Sequence, residues 1–73
     1  MIPVEQIARL AELYDRYNNA LDPLSVSCRA AKREFEELTV NLHTVRALDV
    51  SFPEFRCELI RHCREYLRKN PPA

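Results

Sequence analysis

The chain has 73 residues, so we expect a single domain, residues 1–73, with a small hydrophobic core. Apolar residues make up 47% of it and charged residues 30%, which indicates a globular rather than a disordered chain. The formal net charge is zero, and this argues against a surface built as a whole to bind nucleic acid or an anionic membrane.

Glycine is absent from the chain. Small strand-rich folds need tight turns with positive φ angles, which glycine supplies, so its absence favours long helices. Three cysteines without regular spacing are typical of reduced thiols in the cytosol rather than of a secreted disulfide framework. The first residues do not resemble a signal peptide, and no apolar run reaches the length of a membrane span. We therefore expect a cytoplasmic all-α protein.

The first predicted helix covers about residues 3–19. Apolar and aromatic side chains recur along one stripe of it at intervals of three and four residues, which is the period of an amphipathic helix. The stripe consists of Ile7, Leu10, Tyr14, Tyr17 and Leu21. Leu13 is predicted to flank this stripe on the outside of the protein.

The second predicted helix covers about residues 23–47, with Asp22 as its N-cap and Pro23 in its first position. Apolar side chains repeat along it at intervals of four and three residues over three heptads, as in helix bundles and coiled coils. The predicted buried seam consists of Leu24, Cys28, Ala31, Phe35, Leu38, Leu42 and Val45. Val26 and Val40 fall on the side of the helix away from this seam.

The third predicted helix covers about residues 51–70 and begins with a capping box formed by Ser51 and Glu54. Its apolar face consists of Phe52, Phe55, Leu59, Ile60, Cys63, Tyr66 and Leu67. The connection to the second helix is too short for anything but an antiparallel pair. The sequence thus predicts an all-α fold, a small three-helix bundle with the second and third helices antiparallel.

The chain offers no pattern typical of metal or catalytic chemistry. Cys57, Cys63 and His62 fall on three different sides of the third helix, whereas zinc needs three or four ligands that converge on one point. Neither His43 nor His62 shares a helical face with a cysteine, so no thiol has a positioned base. We predict a non-enzymatic protein without a metal or a cofactor.

Two arginines interrupt the apolar pattern near the short connection between the second and third helices. Arg46 lies in the last turn of the second helix and Arg56 in the second turn of the third. A converging pair of guanidinium groups clamps a carboxylate or a phosphate. The alternative is that both side chains extend past the rim of the core and pair with Asp49 or Glu54.

A basic stripe, formed by Arg61, Arg64 and Arg68, is predicted on the outer side of the third helix. Residues 51–73 carry five basic and three acidic side chains, a net charge of +2. This stripe is the basis of one alternative function, a small nucleic-acid-binding regulator. Against it stand three glutamates beside the stripe that repel phosphates, namely Glu54, Glu58 and Glu65.

The favoured interpretation is a helical protein–protein interaction or assembly module. The heptad seams resemble helix-bundle faces, and a small core makes self-association a natural source of extra stability. The partner is expected to be a second copy, giving a homodimer, or another helical protein. Tyr14 and Tyr17, with Leu13 beside them, are the predicted contact because tyrosine rings suit a half-exposed interface.

Overall fold

In the computed structural model, which describes residues 2–71, the chain folds into three α-helices. They are α1 (Val4–Asn18), α2 (Val26–Arg46) and α3 (Phe52–Lys69), and residues 2–71 contain no strand. The helices pack on one another as a small bundle. The predicted fold class is therefore confirmed, with helix boundaries within one residue of the prediction for α1 and α3.

The start of α3 is the predicted one, and the start of α2 is not. Ser51 caps α3, because its hydroxyl accepts a hydrogen bond from the Glu54 backbone N–H at 3.3 Å. The N-cap of α2 is Ser25, whose hydroxyl accepts from the Cys28 backbone N–H at 3.1 Å. The prediction that Asp22 caps this helix is wrong.

Asp22 instead stabilises the loop before α2. Its carboxylate accepts a hydrogen bond from the Leu24 backbone N–H at 3.0 Å, and its carbonyl oxygen accepts from the Ser25 N–H at 3.1 Å. An aspartate that binds the backbone two residues ahead forms a turn, which competes with helix formation. The helix therefore begins three residues later than predicted.

Helix α1 packs against both other helices, whereas α2 and α3 share a smaller contact that includes His43 with Phe52 and Glu36 with Arg56. Along α1 and α2, Tyr17 contacts Cys28 and Arg9 contacts Glu34, so these two helices run antiparallel. Helices α2 and α3 are also antiparallel, since His43 packs against Phe52 at the start of α3 while Glu36, two turns back, binds Arg56.

The core lies between the three helices and contains most of the predicted apolar faces. The α2 seam from Cys28 to Leu42 and the whole α3 face are buried or half-buried. The predicted burial is wrong at the ends of the apolar stripes, since Leu24 is 79% exposed, Val45 is 72% exposed and Leu21 is fully exposed. Leu21 and Leu24 belong to the loop between α1 and α2 rather than to a helix, and α1, with 15 residues against 21 in α2, is too short to cover Val45.

Three core residues, Ala11, Leu13 and Thr39, were missed by the helical pattern. Thr39 is completely buried, and its hydroxyl donates a hydrogen bond to the Phe35 carbonyl oxygen at 2.7 Å, which satisfies the polar atom inside the core. Leu13 is also completely buried, so its predicted position on the outside of α1 is wrong. Since α1 has a neighbour on two sides, its buried surface is wider than one stripe.

Candidate interaction surface

The predicted partner contact on α1 is part of the core. Tyr14 and Tyr17 pack against each other and against Phe35, with ring centroids 5.4 to 6.0 Å apart in edge or tilted arrangements. Tyr14 is buried and Tyr17 half-buried, and burial raises the pKa of the Tyr17 hydroxyl. With Leu13, these side chains hold α1 to the rest of the chain and leave little apolar surface for a partner.

The predicted basic stripe on α3 is exposed, but its charges are largely engaged. Arg61 forms an ion pair with Glu58, and Arg68 forms one with Glu65 at 2.6 Å. The hydrogen bond from Arg68 lowers the pKa of Glu65, which keeps that carboxylate charged beside the stripe. A phosphate approaching α3 therefore meets a carboxylate next to two of the three guanidinium groups.

The sequence predicted that the third arginine of the stripe, Arg64, points away from the core. The structure shows instead that it contacts α1. Arg64 donates a hydrogen bond from Nε to the Tyr14 hydroxyl at 3.1 Å, and its guanidinium carbon lies 6.0 Å from the centre of the Tyr14 ring. This cation–π geometry joins α3 to α1. Arg64 thus contributes to the packing of the bundle.

The predicted arginine pair near the α2–α3 loop is divided between two surfaces. Arg56 forms a bidentate ion pair with Glu36, with Nε and Nη2 donating to the carboxylate at 2.9 and 2.6 Å. The hydrogen bond from Arg56 lowers the pKa of Glu36. Arg46 instead borders a groove between α1 and α2. Arg56 therefore serves as a bridge between α2 and α3, and its partner differs from the predicted Asp49 or Glu54.

The thiols and imidazoles are spread over the molecule. Cys63 is completely buried, and loss of solvation raises the pKa of its thiol to about 11, so it is protonated at neutral pH. Cys28 is buried and Cys57 is exposed, and all three cysteines are free. Within residues 2–71 no three histidine, cysteine or acidic side chains come together as metal ligands.

His43 has a structural contact that its sequence position did not suggest. Its Nε2 atom lies 2.6 Å from the carbonyl oxygen of Val50, in the α2–α3 loop. The ring also packs against Phe52 and Phe55, with centroids 5.4 and 5.5 Å away. His43 thereby fixes the loop and the entry of α3 against the end of α2.

Large aliphatic side chains are exposed at both ends of α2. The N-terminal group consists of Leu21, Leu24 and Val26, and the C-terminal group of Val45 and Leu48. Val45 lines the groove between α1 and α2, which has a volume of about 220 Å³ and apolar walls that include Leu10, Leu38 and Leu42. Exposed leucines and a nearby apolar groove are typical of protein–protein contact surfaces.

The side of α2 opposite the seam faces solvent, and we call it the outer face. It consists of Val26, Ala30, Arg33, Glu37, Val40 and Thr44, which are all exposed. The predicted exposure of Val26 and Val40 is confirmed. The side chains are mostly small, so a second helix can approach closely along this face.

The structure shows the fold class, a small all-α three-helix bundle. No protein-family model matches the chain significantly, and neither does any curated protein or any solved structure. Among residues 2–71 there is no helix whose length and apolar character suit a membrane span.

Proposed function

We propose that this protein is a non-enzymatic helical interaction module that acts in the cytoplasm and assembles with itself, most simply as a homodimer. The observation that carries the proposal is the exposure of five large aliphatic side chains at the two ends of α2, next to an apolar groove. A monomer gains nothing from leaving them in water, whereas burying them in an interface is favourable.

The cytoplasmic part of the proposal rests on the cysteines. Three free thiols, one of them exposed, suit a reducing compartment, because an exposed thiol in an oxidising one forms adventitious disulfides. The non-enzymatic part rests on two observations: the thiol of Cys63 is buried and protonated, and His43 packs within the α2–α3 junction, where it contacts Val50 and Phe52.

Static light scattering over a range of protein concentrations tests the proposal. We expect a dimer mass at both low and high ionic strength, because salt screens exposed charges and does not weaken buried hydrocarbon contacts. Changing Leu24 and Val26 together to serine should shift the population toward monomer, because both are exposed at the N-terminal end of α2. Val4→Ser is the matched control, since Val4 is similarly exposed but belongs to α1.

A monomer at every concentration would contradict self-association. Binding of the protein to duplex or single-stranded DNA that falls steeply with salt would favour the nucleic-acid alternative instead. In that case Arg61, Arg64 and Arg68 should carry the binding, and their joint replacement by serine should abolish it.

A further inference from the structure

The outer face of α2 carries a charge pattern that is complementary to itself. Its positions alternate at intervals of four and three residues, the spacing of a coiled-coil seam. We propose that this face packs against the same face of a second copy, with the two α2 helices antiparallel about a two-fold axis near residue 35. This inference rests on the proposed self-association and specifies its geometry.

The antiparallel register follows from the positions of the residues. Side chains equidistant from residue 35 lie opposite one another across the axis, so Arg33 faces Glu37 of the other copy, and the symmetry repeats this contact. Ala30 likewise faces Val40, and Val26 faces Thr44. A parallel pair would instead place Arg33 beside Arg33 and Glu37 beside Glu37, which is unfavourable.

The register is also specific. Sliding one helix by a heptad in either direction places Glu37 opposite Val40 or Val26 and leaves Arg33 without its carboxylate partner. Such a shift brings a charge against apolar surface without compensation, which costs free energy. Only the register centred near residue 35 pairs both charges and keeps small apolar side chains opposite one another.

The neighbouring charges do not oppose this arrangement. Glu34 and Glu36 flank the outer face near the proposed axis and would approach their own copies in a dimer. Each is already neutralised within the chain, Glu34 by Arg9 at 2.7 Å and Glu36 by Arg56 at 2.6 Å. Arg33 and Glu37, by contrast, take part in no ion pair within residues 2–71.

The same pairing brings the exposed ends of α2 together. Residues 26 and 44 are separated by about 27 Å along the helix. In an antiparallel pair, the N-terminal end of each α2 therefore lies beside the C-terminal end of the other. Val26 lies inside this contact, whereas Val45, which lines the groove on the seam side of α2, lies outside it.

Cysteine cross-linking distinguishes the orientations. The Cys57→Ser variant serves as the background, because its remaining thiols, Cys28 and Cys63, are buried. Ala30→Cys and Val40→Cys are each introduced into it, and one of the two carries a tag so that the mixed disulfide and the homodisulfides differ in mass. On mild oxidation we expect the mixture to form the mixed disulfide rapidly, while each variant alone forms little homodisulfide. Rapid homodisulfide formation by Ala30→Cys alone would overturn the antiparallel arrangement.

Charge exchange provides an independent test. Arg33→Glu alone or Glu37→Arg alone puts like charges opposite each other twice per dimer, so the dissociation constant should rise roughly tenfold. A mixture of the two variants restores opposite charges and should form the heterodimer selectively. Arg61→Glu, a charge reversal of the same size on α3, should leave the dimer unchanged.

The outcomes separate this inference from the proposed function. One outcome is a dimer in light scattering whose dissociation constant is unchanged by Arg33→Glu and Glu37→Arg and that forms no mixed disulfide. That result would overturn the antiparallel α2 pairing but would still support self-association. A monomer at all concentrations would overturn both.

Discussion

Replacing Phe35 with alanine should remove the centre of the core. The ring is completely buried and lies 6.0 Å from the ring of Tyr14 and 5.5 Å from that of Tyr17, centroid to centroid. Loss of a buried phenylalanine side chain costs about 3–5 kcal/mol, which includes the cavity it leaves. For a chain of 73 residues the total stability is about 4–11 kcal/mol, so this loss takes away a large part of it.

The measurement is thermal and urea unfolding followed by far-UV circular dichroism. For a domain of this size, we expect Phe35→Ala to lower Tm by more than about 12 °C. Phe35→Leu should cost about 1–2 kcal/mol, because the leucine fills part of the space and only the ring contacts with the two tyrosines are lost. The protein concentration is kept low, since dimer formation adds apparent stability.

Val4→Ala serves as the control for these measurements, because Val4 is exposed on α1 and its truncation should change stability by less than about 0.5 kcal/mol. If Phe35→Ala melted within a few degrees of the unaltered protein, Phe35 would not be the centre of the core, and the packing of α1 on α2 described above would be refuted.

Three further outcomes are expected from the local contacts. Ser25→Ala and Ser51→Ala should each cost about 1 kcal/mol of folding stability in urea unfolding, since each serine caps a helix, and a cost at only one of them would contradict the capping geometry. Thr39→Val should be neutral or stabilising in the same assay, because the Phe35 carbonyl keeps its helical hydrogen bond when the hydroxyl is removed. A loss of more than about 2 kcal/mol of folding stability would contradict this account of the Thr39 hydroxyl. The raised pKa of Cys63 means that the folded state binds the thiol proton more tightly than the unfolded state does. The contribution of this thiol to folding stability is therefore complete below about pH 8.5 and is lost as the pH rises toward about 11. Urea unfolding between these pH values should show a steeper loss of stability than in Cys63→Ala, and equal slopes would contradict the burial of this thiol.

The sequence predicted the number of helices, their order and most of their buried faces. These features depend on local signals: the apolar period along each helix and the Ser51 cap both act within a few residues. The α3 face, from Phe52 to Leu67, is buried or half-buried as predicted because α3 is in contact with other helices along its length.

The errors concern residues whose environment depends on another helix. Leu13 has the right character for a core residue, but its burial requires α1 to pack on two neighbours at once. Leu24 and Val45 fit the α2 seam, yet Leu24 falls in the loop before α2 and α1 is too short to cover Val45. At Asp22 and Ser25 two good N-caps compete, and the choice depends on loop geometry that composition does not encode. Tyr14, predicted as part of a partner contact, is buried in the core for the same reason.

The central position of α1 has a consequence for how the chain folds. Helices α2 and α3 touch each other over a short region, and each relies on α1 for most of its buried surface. The contact between Tyr14 and Arg64 closes a loop of 50 residues, so α1 reaches α3 only after the whole intervening chain is in place. We therefore expect the α2–α3 hairpin not to be stable by itself. Docking of α1 should make the transition cooperative, and a chain that lacks α1 should lose α2 and α3 together.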